Sequence, residues 1–178
     1  MDINIEKRLN INNIEKNISI YLNSIKEMES SISANNIIEL LKFIKRDYIG
    51  KGPYKNVAFF EAANRIMTDL VILYGINDLL NGKYTEINFP EYVVEYGNDD
   101  NNDFDIMAEN NGIKLIGEAF NVSKTFFQEK KGKSLKKLRN YKYKNDKIIK
   151  ILMYNNDAVN IGYNPRLDNN EYHIIVKI

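Results

Sequence analysis

The chain has no cysteine and a single histidine. The first absence excludes disulfides and thiolate metal centres, and the second excludes zinc sites built on several imidazoles. A Ser-His-Asp arrangement would depend wholly on His173, and one histidine at the start of a strand reads more naturally as a structural or surface residue than as a general base. No apolar run approaches the length of a membrane span. The opening Met-Asp-Ile-Asn-Ile-Glu-Lys-Arg lacks the basic n-region and apolar h-region of a signal peptide. The expectation is a cytoplasmic protein with no membrane contact. Internal repeats are also lacking, and the richness in asparagine is a compositional bias.

What is present is ordinary globular material. Hydrophobic residues make up 44% of 178 positions, enough for one domain that buries its own core. The formal net charge of +1 argues neither for nor against nucleic acid. Its distribution says more. Between Asn121 and Lys150 lie ten lysines and Arg139 against Glu129 and Asp146, a net of +9, so the rest of the chain is acidic.

Periodicity supplies the elements. Ile14, Ile18, Tyr21, Ile25 and Met28 predict a helix over about 12–30, and Ile37, Ile38, Leu41 and Ile44 a second up to Asp47, ended by Gly50, Gly52 and Pro53. This N-terminal helical hairpin, residues 1–52, is expected to cover one face of a sheet or to supply a dimer interface. A third helix is predicted over about 56–74, with Phe59, Phe60, Ala63, Ile66, Met67, Leu70 and Val71 on its stripe and Gly75 as its stop. Residues 88–96 read as a strand entered through Pro90. The polar run Gly97 to Asn102 reads as a solvated loop; it lacks the Gly and Glu that a calcium loop needs. A basic helix is predicted over about 134–143, a buried strand over 148–154, a weak strand near 158–163 and a final strand over 172–178.

The most informative stretch runs from Asp103 to Phe120, two apolar runs joined by Asn-Asn-Gly. Asn-Gly between alternating hydrophobics is the strongest short-range hairpin signal, because a type I′ turn needs positive φ at both central positions. On the second strand Lys114, Ile116, Glu118 and Phe120 share one side, and Leu115, Gly117 and Ala119 the other. Glu118 therefore lies in a strand that otherwise reads as buried, where a carboxylate is costly unless paired or bound to a cation. Asp105 on the partner strand supplies a second acid, with Asp103 as its fallback. Two carboxylates on one rigid hairpin suit a hard cation such as Mg²⁺, with Mn²⁺ as a substitute. The reading requires both carboxylates to lie on the same side of the sheet. Lysines just beyond the hairpin, Lys130, Lys131, Lys133, Lys136, Lys137 and Arg139, then make sense as phosphate contacts to double-stranded DNA. A solvated helix face is the plainer alternative.

Over about residues 57–154, the order of helix, strand, hairpin carrying Asp then Glu, basic helix and strand resembles the PD-(D/E)XK nuclease superfamily, which includes most type II restriction endonucleases. The resemblance implies an α/β (α+β) fold: a central mixed β-sheet flanked by helices, a restriction endonuclease-like core over 57–154, and C-terminal strands over 155–178. It also implies Mg²⁺-dependent DNA cleavage with Asp105 and Glu118 as ligands, and a further glutamate, Glu61, approaching from the preceding helix. The family's lysine, two residues after the second acid, falls on Phe120. Its replacement is expected to be Lys124, just past the strand; Lys114 shares Glu118's side but lies far along it. A domain this small would cut both strands as a homodimer. Two rivals remain: a nuclease-like fold without catalysis that binds DNA or protein, and an unrelated α/β protein whose acids merely pair with neighbouring lysines.

Overall fold

The computed structural model describes residues 3–97, 102–141 and 147–178. Six strands form one sheet in chain order: β1 (Arg8–Asn10), β2 (Glu91–Val94), β3 (Ile106–Asn110), β4 (Ile113–Phe120), β5 (Ile148–Asn155) and β6 (Glu171–Val176). Strands β1 to β4 are antiparallel neighbours, while β4–β5 and β5–β6 are parallel. The helices are α1 (Ile14–Glu27), α2 (Ile37–Arg46), α3 (Phe59–Leu80) and α4 (Lys124–Asn140). A mixed sheet flanked by helices is the expected α+β class. No helix among the described residues is long and apolar enough to cross a membrane.

Local chemistry explains the change from antiparallel to parallel pairing. Asn111 and Gly112 have φ of 50° and 72°, so the predicted hairpin turn forms and pairs Asn110 with Ile113. Parallel strands need a long crossover instead, and α4 is the crossover between β4 and β5.

The pleat sorts side chains into two cores. Leu115, Ala119, Ile151, Met153, Ile174 and Val176 join Ile66, Leu73 and Ile76 of α3 in the larger one. Ile116, Phe120, Leu152 and Tyr154 pack with Phe127, Leu135 and Leu138 of α4 in the smaller. Because residues one apart on a strand point to opposite sides, α3 and α4 lie on opposite faces of the sheet.

Four expectations are corrected. The third helix does not stop at Gly75 but runs on to Leu80. That glycine gives close approach: a Cβ on it would lie 2.5 Å from Met153 Sδ and 3.2 Å from Val176 Cγ2. The N-terminal helices pack on α3, α1 sharing a core with Leu9 and Tyr92 of the sheet, but Ile37, Ile38 and Leu41 of α2, expected on its apolar face, point outward, Phe43 meeting Phe59 instead. The basic helix begins at Lys124, ten residues before its predicted start. No strand forms over 158–163 among the described residues; a 3-10 turn, Asn156–Ala158, stands at the start of that connection.

A buried polar knot joins the helical layers to the end of β2. Asp69 of α3 is fully buried. It accepts hydrogen bonds from Tyr21 Oη of α1 at 2.5 Å, from Tyr54 Oη and from the Gly97 amide at 3.0 Å. Burial pushes its carboxyl up to about 6, against these three donors, which pull it down. A folded-state value above the unfolded 3.8 means the stabilisation is complete below that lower value and is lost as pH rises through about 6. Asp69→Asn cannot titrate, so it should cost about 2 kcal/mol more at pH 4 than at pH 7. Urea unfolding midpoints of parent and variant at both pH values check this; an equal cost at the two would contradict it.

Candidate metal centre

β2, β3 and β4 bring three acids into one row. Val94 pairs with Ile106 and Ile106 with Gly117, and the Glu95 amide donates to the Asp105 carbonyl at 2.8 Å. One step further along the same register sets Glu95 opposite Asp105, and Asp105 opposite Glu118. Directly opposed residues share a face with Cβ atoms about 5 Å apart. The face is that of Ile116 and Phe120, the side α4 covers. Both hairpin acids therefore lie on the same side of the sheet, as the sequence reading required.

Their surroundings differ. Asp105 is fixed by the Ala119 amide, which donates to its Oδ2 at 2.8 Å. Burial raises its pKa, opposed by that bond and by Lys137 and Lys130, and aided by Glu95. Glu118 is 8% exposed and forms an ion pair with Lys137, Nζ to Oε1 2.7 Å. Its pKa is raised first by burial, then by the charge of Asp105, against Lys137 and Lys130. Burial thus outweighs the two nearby ammonium groups at both carboxylates, and at Glu118 the charge of Asp105 adds to it. Glu95 is spoken for differently, through Lys7 at 2.7 Å and the Asn102 amide.

The lysine at the pair is Lys137. Lys130, Ser134, Lys137 and Tyr141 recur at helical spacing along the sheet-facing edge of α4, and the Lys137 ammonium also rides 5.3 Å from the Phe104 ring centre. The expected Lys124 sits instead in the first turn of α4, exposed. There it lines a pocket of about 150 Å³ with Phe127, Ala158 and Tyr163. Lys114 donates to Tyr141 Oη at 2.9 Å. Glu61 does not reach the acids. It stands at the start of α3, whose core lies on the opposite face, and is paired with Arg65 at 2.6 Å. Asp103 is exposed and is not needed as a fallback.

The six residues expected to touch phosphate do not form one surface. Arg139 is held by Glu171 through two bonds of 2.8 Å and by Asp168 at 2.9 Å. Lys131 donates to Tyr163 Oη at 3.2 Å and lies over the Phe127 ring. Lys133 pairs with Glu129 at 2.5 Å, Lys137 serves Glu118, and Lys130 and Lys136 are exposed on the helix. Beyond α4, the face carrying the acids is left uncovered over β1 to β3 by the described residues. It forms an open groove of about 340 Å³ lined by Arg8, Glu91, Val93, Met107, Glu109 and Lys114. His173 is buried in the α4-side core. Tyr154 Oη lies 3.1 Å from its Nδ1, and burial pushes its pKa down to about 4. It is a structural histidine, not a solvent-facing base.

Among the described residues no three or more His, Asp or Glu side chains converge as a metal cluster. The donor set is the two hairpin carboxylates, and it fits a hard divalent ion. Its donors are oxygens held on adjacent strands, and one is already oriented by a backbone amide. Mg²⁺ is commonly held by one or two carboxylates with water and phosphate completing its shell.

Compared with known proteins, the chain matches no family model, no curated protein and no solved structure. The site therefore stands on its own geometry.

Phe120 closes one route to a restored motif. It is 2% exposed, stacked on Tyr154 with ring centres 5.7 Å apart and tilted against Phe127 at 6.2 Å. Phe120→Lys should lose about 3–5 kcal/mol and lower the melting temperature by on the order of 10 °C, measurable by thermal denaturation. A stable variant would contradict the packing described.

Proposed function

We propose that this chain is a Mg²⁺-dependent DNA endonuclease of the PD-(D/E)XK kind, acting as a type II restriction enzyme on double-stranded DNA. The observation that supports it is Asp105 facing Glu118 on one side of a hairpin, with the Lys137 ammonium 2.7 Å from the second carboxylate.

Each residue has work to do. Asp105 and Glu118 would hold the ion, with Asp105 oriented by the Ala119 amide. A bound Mg²⁺ supplies Lewis acidity at the scissile phosphate. Lys137, at the edge of the pair, offers a positive group for charge that develops on the phosphate during attack. Lys130, a further turn and more toward the start of α4, and Lys136 are exposed cations that can meet the DNA backbone. The open sheet face beside the acids leaves room for the strand being cut. Cleaving both strands takes two copies, so a homodimer on a palindromic or near-palindromic site belongs to the proposal.

A second reading, the same fold binding DNA without cutting it, is favoured by Phe120 in place of the motif lysine. One assay separates the two. Supercoiled plasmid incubated with Mg²⁺ and the parent protein should be nicked or linearised. Asp105→Ala and Glu118→Gln should each lower the rate at least about 100-fold, the upper end of what even outer-shell substitutions cost. DNA retention by the parent without cleavage would favour the second reading.

A further inference from the structure

We propose that Lys137 is a built-in competitor for the cation: its ammonium holds the metal's place against Glu118 and must vacate it when the ion binds. The inference rests on the nuclease reading of the Asp105–Glu118 pair and concerns how that pair is loaded.

The geometry carries the argument. Nζ of Lys137 lies 2.7 Å from Oε1 of Glu118, a full charge-assisted contact. The opposed position of Asp105 makes the space in front of Glu118 the place where an ion bridging the two carboxylates would sit. Ligand distances for Mg²⁺ are about 2.1 Å, so an ion on that oxygen and the ammonium in its present position would be cations in near contact. Both cannot stay. Asp105 is the less movable partner, since the Ala119 amide holds it at 2.8 Å, and Glu118 is buried in the sheet with its side chain 10% exposed. Lys137 has freedom to leave: its side chain is 50% exposed and its stem is a chain of four methylenes.

The surroundings suit a short displacement. The Phe104 ring lies 5.3 Å from Nζ and offers a π face on which the ammonium can remain after it leaves the carboxylate. Lys130 stays within electrostatic reach of both acids, so their charge is never wholly uncovered. In the metal-free protein Lys137 thus keeps two like charges together. In the loaded protein the same group is released beside the phosphate. Loading and activation are one event, and metal affinity is lowered to obtain it.

This predicts opposite signs for binding and turnover. Lys137→Met keeps the apolar stem and removes the charge. Isothermal titration with Mn²⁺ alone should show it binding roughly tenfold more tightly than the parent, within the range typical of linked binding equilibria. The same variant should cut plasmid at least about tenfold more slowly. Lys137→Gln, which keeps a polar end, should show the same tightening and covers the case in which the methionine variant does not fold. Asp105→Asn should abolish the binding heat in every background. Unchanged or weaker Mn²⁺ binding in folded Lys137 variants, with the Asp105-dependent heat intact in the parent, would overturn the competitor role and leave the nuclease reading standing. No Asp105-dependent heat in the parent or in either variant would overturn both.

Discussion

Two negative charges forced to face each other across adjacent strands are the constraint on which this structure turns. A sheet places opposed side chains about 5 Å apart whether or not they attract, and here the Asn111–Gly112 turn sets a register that opposes Asp105 and Glu118. Like charges so placed destabilise a fold unless something intervenes. Three things do: the Ala119 amide, the Lys137 ammonium and the more distant Lys130. All of α4 can be viewed in this light. Its apolar residues Phe127, Leu135 and Leu138 seal the smaller core, and that anchoring fixes where Lys137 projects.

The rest of the molecule holds this row in place from a distance. On the far side of the sheet α3 packs closely at Gly75, and its Asp69 captures the Gly97 amide at the exit of β2. Glu95, the third acid of the row, lies two residues before that anchor. In the same last turn of α4, Arg139 is clamped to Glu171 of β6. The helix carrying Lys137 is therefore tied to the sheet at its C-terminal end, which suits a side chain that must meet its partner at a fixed distance and yet be able to swing away.

Much of this was legible in the sequence, for identifiable reasons. An Asn-Gly turn determines its own register, so counting outward by twos places Asp105 and Glu118 on one side without any tertiary information. The long apolar stripes of α3 and the run of β5 were equally plain. The misses have physical causes too. β1 is three residues long and has no periodicity to detect. The first half of α4 is dominated by lysine and polar residues, so its single inward side chain, Phe127, gave too little signal. Lys137 could be placed on a stripe with Lys130, but only the packing of the helix shows that this stripe faces the acids. Glu95 was hidden for a similar reason: its neighbourhood depends on the pairing of β2 with β3, across a loop whose length says nothing of register. Lys124 and Glu61 were chosen by closeness in the chain and by resemblance, and the fold sends them to other places.

The central claim is that the two hairpin carboxylates feel each other, and Glu118's own titration tests it most directly. Carbon-detected NMR of the Glu118 carboxyl should give a pKa above that of a free glutamate in the parent protein, falling when Asp105 is replaced by asparagine. A Glu118 pKa indifferent to that substitution would show that the two acids do not share a site, and the account built on them would fail.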